Sequence, residues 1–341
     1  MKERMKSKSP YIVIGVLLIV GVLGLFIGRK WFIQRENLLL AYERELIPGI
    51  VCFGDSLTFG SGGDGVSYPS VLEENLERDR IYIPVSNLGI GGENTVTIAA
   101  RAGAIPFRVS EFTIPEETNP VEITFLEEEG KEIRPIYQGD AGINPCTIAG
   151  VTGRISGEKD DQNRMTYYFT RSEAGESTHV LEGTEVVTFA SSAYADCIYV
   201  VFMGENGGWN EDVQELIAQQ QAIFSMQEKY KGRYIVVGLP TGTAEERKEL
   251  EETLEEVYGD KFFNIREYMS GEAIEDAGIK LSKEDEERVE QGLIPTCFLD
   301  DHIHFNAEGY RLIGNKIYEQ MKALGYFEEL ENAVDEYGSI F

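Results

Sequence analysis

Positive charge is what this sequence most lacks: 31 Lys and Arg stand against 59 Asp and Glu, a net charge of -28 over 341 residues. Phosphate recognition needs a basic face, so nucleic-acid binding is excluded and a self-repelling acidic surface is expected. Cysteine is also sparse. Cys52, Cys146, Cys197 and Cys297 are far apart and lack the close pairs of a zinc or redox motif, so they define neither a metal site nor a disulfide framework. Cys52 and Cys197 fall in apolar runs that read as core strands, and burial as small hydrophobes is expected of both, which makes Cys52 a poor candidate nucleophile. Low-complexity sequence and a visible repeat are absent. A hydrophobic content of 42% still suffices for a packed interior, and the length allows one large core or a core plus a smaller domain.

A long apolar run without charge occurs at the amino terminus. Lys2, Arg4, Lys6 and Lys8 precede residues 11–28, and Arg29 and Lys30 follow. At about 1.5 Å per residue the run reaches about 27 Å, close to the hydrocarbon thickness of a bilayer, with Trp31 and Phe32 at an interface. No small-x-small cleavage site follows, so an uncleaved transmembrane helix is expected rather than a signal peptide. The flanking positive charges balance, but the short basic tail resembles the cytoplasmic region of an export signal. The rest of the chain is therefore placed outside the cell. Residues 31–48 read as a stalk that ends at Pro48-Gly49.

After the stalk comes Val51-Cys52-Phe53-Gly54-Asp55-Ser56, an apolar run that stops at a Gly-Asp-Ser turn. It reads as a buried parallel strand that delivers a serine at its carboxyl end, the edge where open α/β sheets build sites. Gly, Asp and Ser also form ordinary turns, so this tripeptide alone decides little. Three further stretches follow in order: Asn87-Leu88-Gly89-Ile90-Gly91-Gly92, Gly204-Glu205-Asn206-Gly207 after an apolar run, and Asp301-His302-Ile303-His304. With these four blocks the chain resembles the SGNH (GDSL-type) hydrolase family, from about Ile50 to Leu324.

The resemblance implies a nucleophile Ser56, activated by the base His304, whose other ring nitrogen is held by Asp301. It assigns the oxyanion donors to the amides of Ser56 and Gly92 and to the side chain of Asn206. Gly92 is the sixth residue of its block, and read from its residues alone that block is also a simple turn. Asn206 reads equally as a turn residue, and Gly207 stands where the family often has Asp. Asp300, Asp301, His302 and His304 alternate as metal ligands on a strand would, His302 is a second candidate base by spacing, and Phe305 replaces a frequent Pro. His179 reads as a surface or core histidine. No cofactor and no metal are expected.

From Ile50 onward strand and helix signals alternate, which predicts a parallel sheet covered on both faces. Helices are expected at Pro69 to Arg78, from Thr95, from an Asn210 cap to about Tyr230, at Ala244 to Tyr258, and on the face Tyr310, Ile313, Ile317 and Met321. Strands are expected at Ile81 to Leu88, Cys197 to Met203, Arg233 to Leu239 and Lys261 to Ile265. Over residues 104–195 helical periodicity gives way to short β-rich runs, which predicts an inserted antiparallel sandwich or barrel. The expected fold is thus α/β: a three-layer α/β/α, flavodoxin-like SGNH hydrolase domain over 49–103 and 196–328, with a β-rich insert and a transmembrane helix. The insert leaves after the glycine block and rejoins before the strand that leads to Asn206, so it should wall the cleft.

The function these readings imply is hydrolysis of carboxylic esters through an acyl-enzyme, with acyl groups, acetyl among them, on carbohydrate or cell-envelope polymers as the leading substrates. Two alternatives stand beside it. One is a lipid esterase or thioesterase with the same machinery; the other is a non-catalytic extracellular binding protein that uses the β insert. The placement outside a membrane is testable. Protease added to intact cells should digest the catalytic part, and digestion only after lysis would refute the orientation.

Overall fold

The structure, a computed structural model, describes residues 45–332 together with Arg29 and Glu43, except 128–132, 134, 137 and 163. The expected anchor and stalk lie almost wholly outside the described residues. Among those described, no helix is long and apolar enough to cross a membrane.

β1 (Ile50–Gly54) and β2 (Val85–Gly89) precede the insert. Within it run β3 (Phe107–Val109), β4 (Phe112–Ile114), β5 (Val121–Ile123), β6 (Cys146–Ile148), β7 (Val151–Lys159), β8 (Met165–Arg171), β9 (Thr178–Val180) and β10 (Thr184–Val187). β11 (Ile198–Phe202), β12 (Tyr234–Val237) and β13 (Phe262–Phe263) follow. The strands outside the insert form one parallel five-stranded sheet in the order β13-β12-β11-β1-β2. β1 and β11 are buried along their whole length, as strands covered on both faces must be.

Alternation along the strands divides the core in two. Cys52, Val200, Phe202, Ile235 and Val237 face one layer, where Tyr310, Ile313, Ile317 and Met321 of the helix Ala307–Ala323 pack with Leu72 and Leu76 of the helix Tyr68–Arg78. Val51, Phe53, Tyr199, Val201 and Val236 face the other, against the helices Thr95–Arg101, Val213–Ser225 and Ala244–Tyr258. The strand order turns back between β1 and β11. That reversal opens a crevice at the carboxyl ends of these two strands, where ligands of open α/β sheets bind.

In the insert a six-stranded antiparallel sheet runs β3-β10-β6-β7-β8-β5, with β4-β9 as a separate pair. A bridge between Val109 and Phe125 draws its two edges together, which curls it into a half-barrel. Phe107, Ile114, Ile148, Ile155, Phe169 and Val180 fill its core. The antiparallel β insert is thus a half-barrel, where an antiparallel sandwich or barrel was expected.

Several element ends differ from expectation for local reasons. Residues 81–84 are not strand, because Pro84 has no N–H to donate; its carbonyl instead accepts from the Ile50 amide at 2.9 Å. Asn210 does not cap a helix: Asn210 and Glu211 are left-handed, with φ of 52° and 56°, and Asp212 accepts from the Gln214 amide to start the helix Val213–Ser225. That helix ends well before Tyr230, since the buried Gln227 side chain turns back to the carbonyls of Cys197 and Arg233.

A buried arginine ties the two units together. Arg101, fully buried, uses all five of its N–H donors: Nε and Nη2 on Glu93 Oε2 at 3.0 and 2.7 Å, Nη2 on the Gly54 carbonyl at 3.1 Å, and Nη1 on the carbonyls of Leu88 and Ala141 at 2.6 and 3.1 Å. It thus joins the ends of β1 and β2, the residue after the glycine block, and the insert. Removing one member of such a pair leaves the other charge buried alone. Arg101→Met should cost about 3–5 kcal/mol in chemical unfolding, part of which Arg101→Met with Glu93→Gln regains. An unchanged unfolding midpoint in the single variant would remove Arg101 from this role.

Candidate active site

Ser56 is the first residue of a single helical turn, Ser56–Phe59, that begins as soon as β1 ends. A side chain at Gly54 has no room: a Cβ there would lie 2.1 Å from Thr58 Oγ1 and 2.4 Å from the Phe202 carbonyl, so only glycine lets the strand turn so sharply into the serine. The buried Asp55 caps the turn by accepting the Leu57 amide at 2.9 Å.

His304 and Asp301 arrive on the loop before the helix Ala307–Ala323. Asp301 Oδ1 accepts the amides of Ile303 and His304 at 2.8 and 2.7 Å, which folds the segment into a tight turn around the carboxylate. The Asp300 amide donates to the His304 carbonyl, and Phe305 is buried against Tyr310, so the loop is pinned on both sides of the histidine. His304 Nε2 lies 2.9 Å from Ser56 Oγ, and His304 Nδ1 lies 2.8 Å from Asp301 Oδ2. Partial burial opposes the Asp301 charge, but the His304 ring and the two backbone amides outweigh it and hold the carboxyl well below the usual carboxylate range. A carboxylate fixes the ring with a proton on Nδ1, which leaves Nε2 free to accept the serine proton. His302 has no such contact with Ser56. His179 is remote, on the exposed face of the insert, paired with Glu111 at 3.3 Å.

The glycine block brings Gly91 beside Ser56, whose Cβ would lie 3.9 Å from a Cβ built on that glycine, and Gly92 follows it in the chain. Gly92 has a left-handed φ of 73°, and among the described residues neither its amide nor that of Ser56 donates to another protein atom. Two free backbone donors beside a serine hydroxyl are the elements of an oxyanion site. Asn206 reaches the same place from the loop after β11. Its Nδ2 donates to Asp55 Oδ2 at 2.9 Å and to the Glu93 carbonyl at 3.2 Å, so both of its N–H bonds point at protein acceptors. Gly207 adopts a φ of 71° and its carbonyl accepts the Thr95 amide, which fastens this loop to the start of the helix Thr95–Arg101.

The structure thus brings Ser56, Gly92, Asn206, Asp301 and His304 together at one sheet edge. It adds residues that motif reading passed over: Asp55, Glu93 and Arg101 beneath the site, and Gln138 of the insert beside the glycine pair. Asp55 was visible as the middle residue of Gly-Asp-Ser, but nothing in the sequence marked the other three. On the β11–β12 side a cleft of about 910 Å³ is lined by Trp209, Glu211, Asp212, Thr241, Glu246 and Arg247. Thr241 donates to Glu205 Oε1 at 2.6 Å, linking that cleft to the neighbour of Asn206.

Comparison with protein-family models and with curated proteins finds no match.

Burial, together with the nearby Glu205 and Glu93 charges, pushes the Asp55 carboxyl from its ordinary 3.8 up to about 7, against the Leu57 amide and Asn206 side chain that favour the charge. A raised acid means that the folded protein holds this proton more tightly than the unfolded chain. The stability it contributes is full below 3.8 and is lost as pH rises through about 7. The melting temperature of Asp55→Asn relative to the parent should therefore move in the variant's favour across that window and level off above it. A difference that does not vary with pH in thermal melts would refute this placement of the charge.

Proposed function

We propose that the chain is a serine esterase of the SGNH (GDSL-type) kind, with a three-layer α/β/α, flavodoxin-like catalytic domain. The observation that carries this reading is the relay from Asp301 Oδ2 through His304 to Ser56 Oγ, a 2.8 Å contact within the last block followed by a 2.9 Å contact to a residue 248 positions away. In the reaction Ser56 Oγ attacks the ester carbonyl as its proton passes to His304 Nε2. The amides of Ser56 and Gly92 stabilise the oxyanion, joined by the Asn206 side chain through an N–H shared with Asp55 or the Glu93 carbonyl. His304 then returns the proton to the departing alcohol, and water repeats the sequence on the acyl-enzyme.

The substrates are acyl esters, acetyl among them, on a carbohydrate or cell-envelope polymer. The cleft linked through Thr241 to Glu205, the neighbour of Asn206, is lined mainly by polar and charged side chains, which supports a hydroxyl-rich substrate over a long acyl chain. The enzyme acts at the outer face of a membrane to which the segment 1–30 anchors it.

A panel of acyl esters of increasing chain length, offered to the full-length protein, tests this reading. Ser56→Ala and His304→Ala should each lower kcat by roughly 10⁴-fold or more with the fold intact, and Asp301→Asn should act on the same step. His302→Ala should leave kcat near that of the parent. A mild His304→Ala beside a crippling His302→Ala would reverse the choice of base, and a parent inactive on every ester would refute the esterase.

A further inference from the structure

Gly91 and Gly92 have no side chains, and the group that lies over them comes from the insert. A Cβ built on Gly91 would lie 3.0 Å from Gln138 Oε1 and 3.9 Å from Ser56 Cβ. One built on Gly92 would lie 3.0 Å from Gln138 Nε2. The carboxamide is therefore laid along the glycine pair with its nitrogen over Gly92, and Ser56 and Gln138 border the same point. Gln138 is exposed, and among the described residues its carboxamide has no hydrogen-bond partner.

The contrast with Asn206 gives this placement its meaning. A primary amide has two N–H bonds. In Asn206 one is directed at the Asp55 carboxylate and the other at the Glu93 carbonyl, so any new acceptor must share a donor already engaged. Gln138 Nε2 carries two unengaged N–H bonds beside the free Gly92 amide. Donors placed in advance where charge develops are the ones that lower a barrier.

We propose that Gln138 is a catalytic residue of this site, donating from Nε2 to the carbonyl oxygen of the bound ester as that oxygen becomes the oxyanion. The inference rests on the esterase reading above. In the step concerned, the bond from Ser56 Oγ to the carbonyl carbon forms, the carbonyl π pair moves onto oxygen, and the serine proton goes to His304. Gln138 keeps its own proton and contributes only a hydrogen bond. When the carbonyl re-forms, the bond to the alcohol oxygen breaks, with His304 protonating the leaving group. The insert thereby supplies a working group to a site whose other parts all belong to the parallel-sheet unit.

The test uses full-length parent, Ser56→Ala, Gln138→Ala and Gln138→Glu on p-nitrophenyl acetate, an ester too small to reach the rest of the insert. Gln138→Glu keeps the length of the side chain but has no N–H to offer when ionised. Both Gln138 variants should lose roughly tenfold or more in kcat with KM little changed, somewhat less than the hundredfold typical of a buried donor. The exposed position makes loss of the fold an unsuitable explanation, and unchanged thermal melts would document that. With an active parent and an inactive Ser56→Ala, unchanged kcat in both Gln138 variants, or a rise in KM alone, would overturn the inference and leave the esterase standing. An inactive parent would overturn both.

Discussion

The site stands on one buried cation. Arg101 is fully buried, and a guanidinium out of water is tolerable only when every N–H finds an acceptor. Here the acceptors are the Glu93 carboxylate and three backbone carbonyls that belong to β1, to β2 and to the insert. The carbonyls of Gly54 and Leu88 sit at the carboxyl ends of the two strands that lead to Ser56 and to the glycine block. One side chain thus sets the distance between the strand that ends at Ser56 and the strand that leads to Gly92. Such a pair contributes little net stability compared with apolar packing of the same volume, so geometry is the better account of its presence.

From Arg101 the constraint passes outward. Glu93, held from one side by the guanidinium, presents its backbone carbonyl to Asn206, and Asn206 presents its other N–H to Asp55. Asp55 in turn caps the turn that begins with Ser56. Each link in this chain is buried or half-buried, and the first, between Arg101 and Glu93, joins two charged groups and is stronger and more directional than a neutral hydrogen bond. The relay from Asp301 through His304 to Ser56 on the other side is built differently. Asp301 and His304 are partly exposed, at 42% and 26%, and are positioned by a tight loop rather than by burial. A base that must gain and lose a proton gains from such access to solvent, whereas donors that must not move gain from a rigid base beneath them.

The parts of this arrangement that could be read in the sequence are those whose chemistry needs a particular residue at a particular place. The Gly-Asp-Ser turn after an apolar run, the glycine block, Asn206 and the Asp301-His304 pair all belong to this kind, and so do β1 and β11, whose unbroken apolar runs suit strands buried on both faces. The helix Ala307–Ala323 was equally legible from its single apolar stripe. Other features depend on tertiary acceptors that have no local signature. Arg101 looks like any arginine near the end of a helix until the carbonyls of Leu88 and Ala141 close around it. Asn210 is a good capping residue, yet Asp212 takes that place because two left-handed residues redirect the chain first. Gln138 lies in a segment of mixed composition with no periodicity.

The insert is built into the parallel-sheet unit rather than appended to it. Three contacts fasten it at the active edge: the Ala141 carbonyl accepts from Arg101, Thr188 Oγ1 donates to the Arg101 carbonyl at 2.9 Å, and Ala190 packs in the core with Ile98 and Leu88. All three meet the helix Thr95–Arg101, which also follows directly from the glycine block. A half-barrel rooted on that helix cannot shift without moving Arg101, and through it Glu93 and the ends of β1 and β2. Excising residues 104–195 would therefore strip one acceptor, the Ala141 carbonyl, from a buried guanidinium as well as removing a wall. The same rooting explains how a residue as exposed as Gln138 can keep a fixed place over the glycine pair: its loop is short of the Arg101 contact by only a few residues, so the anchor that holds the sheet edge also holds the carboxamide.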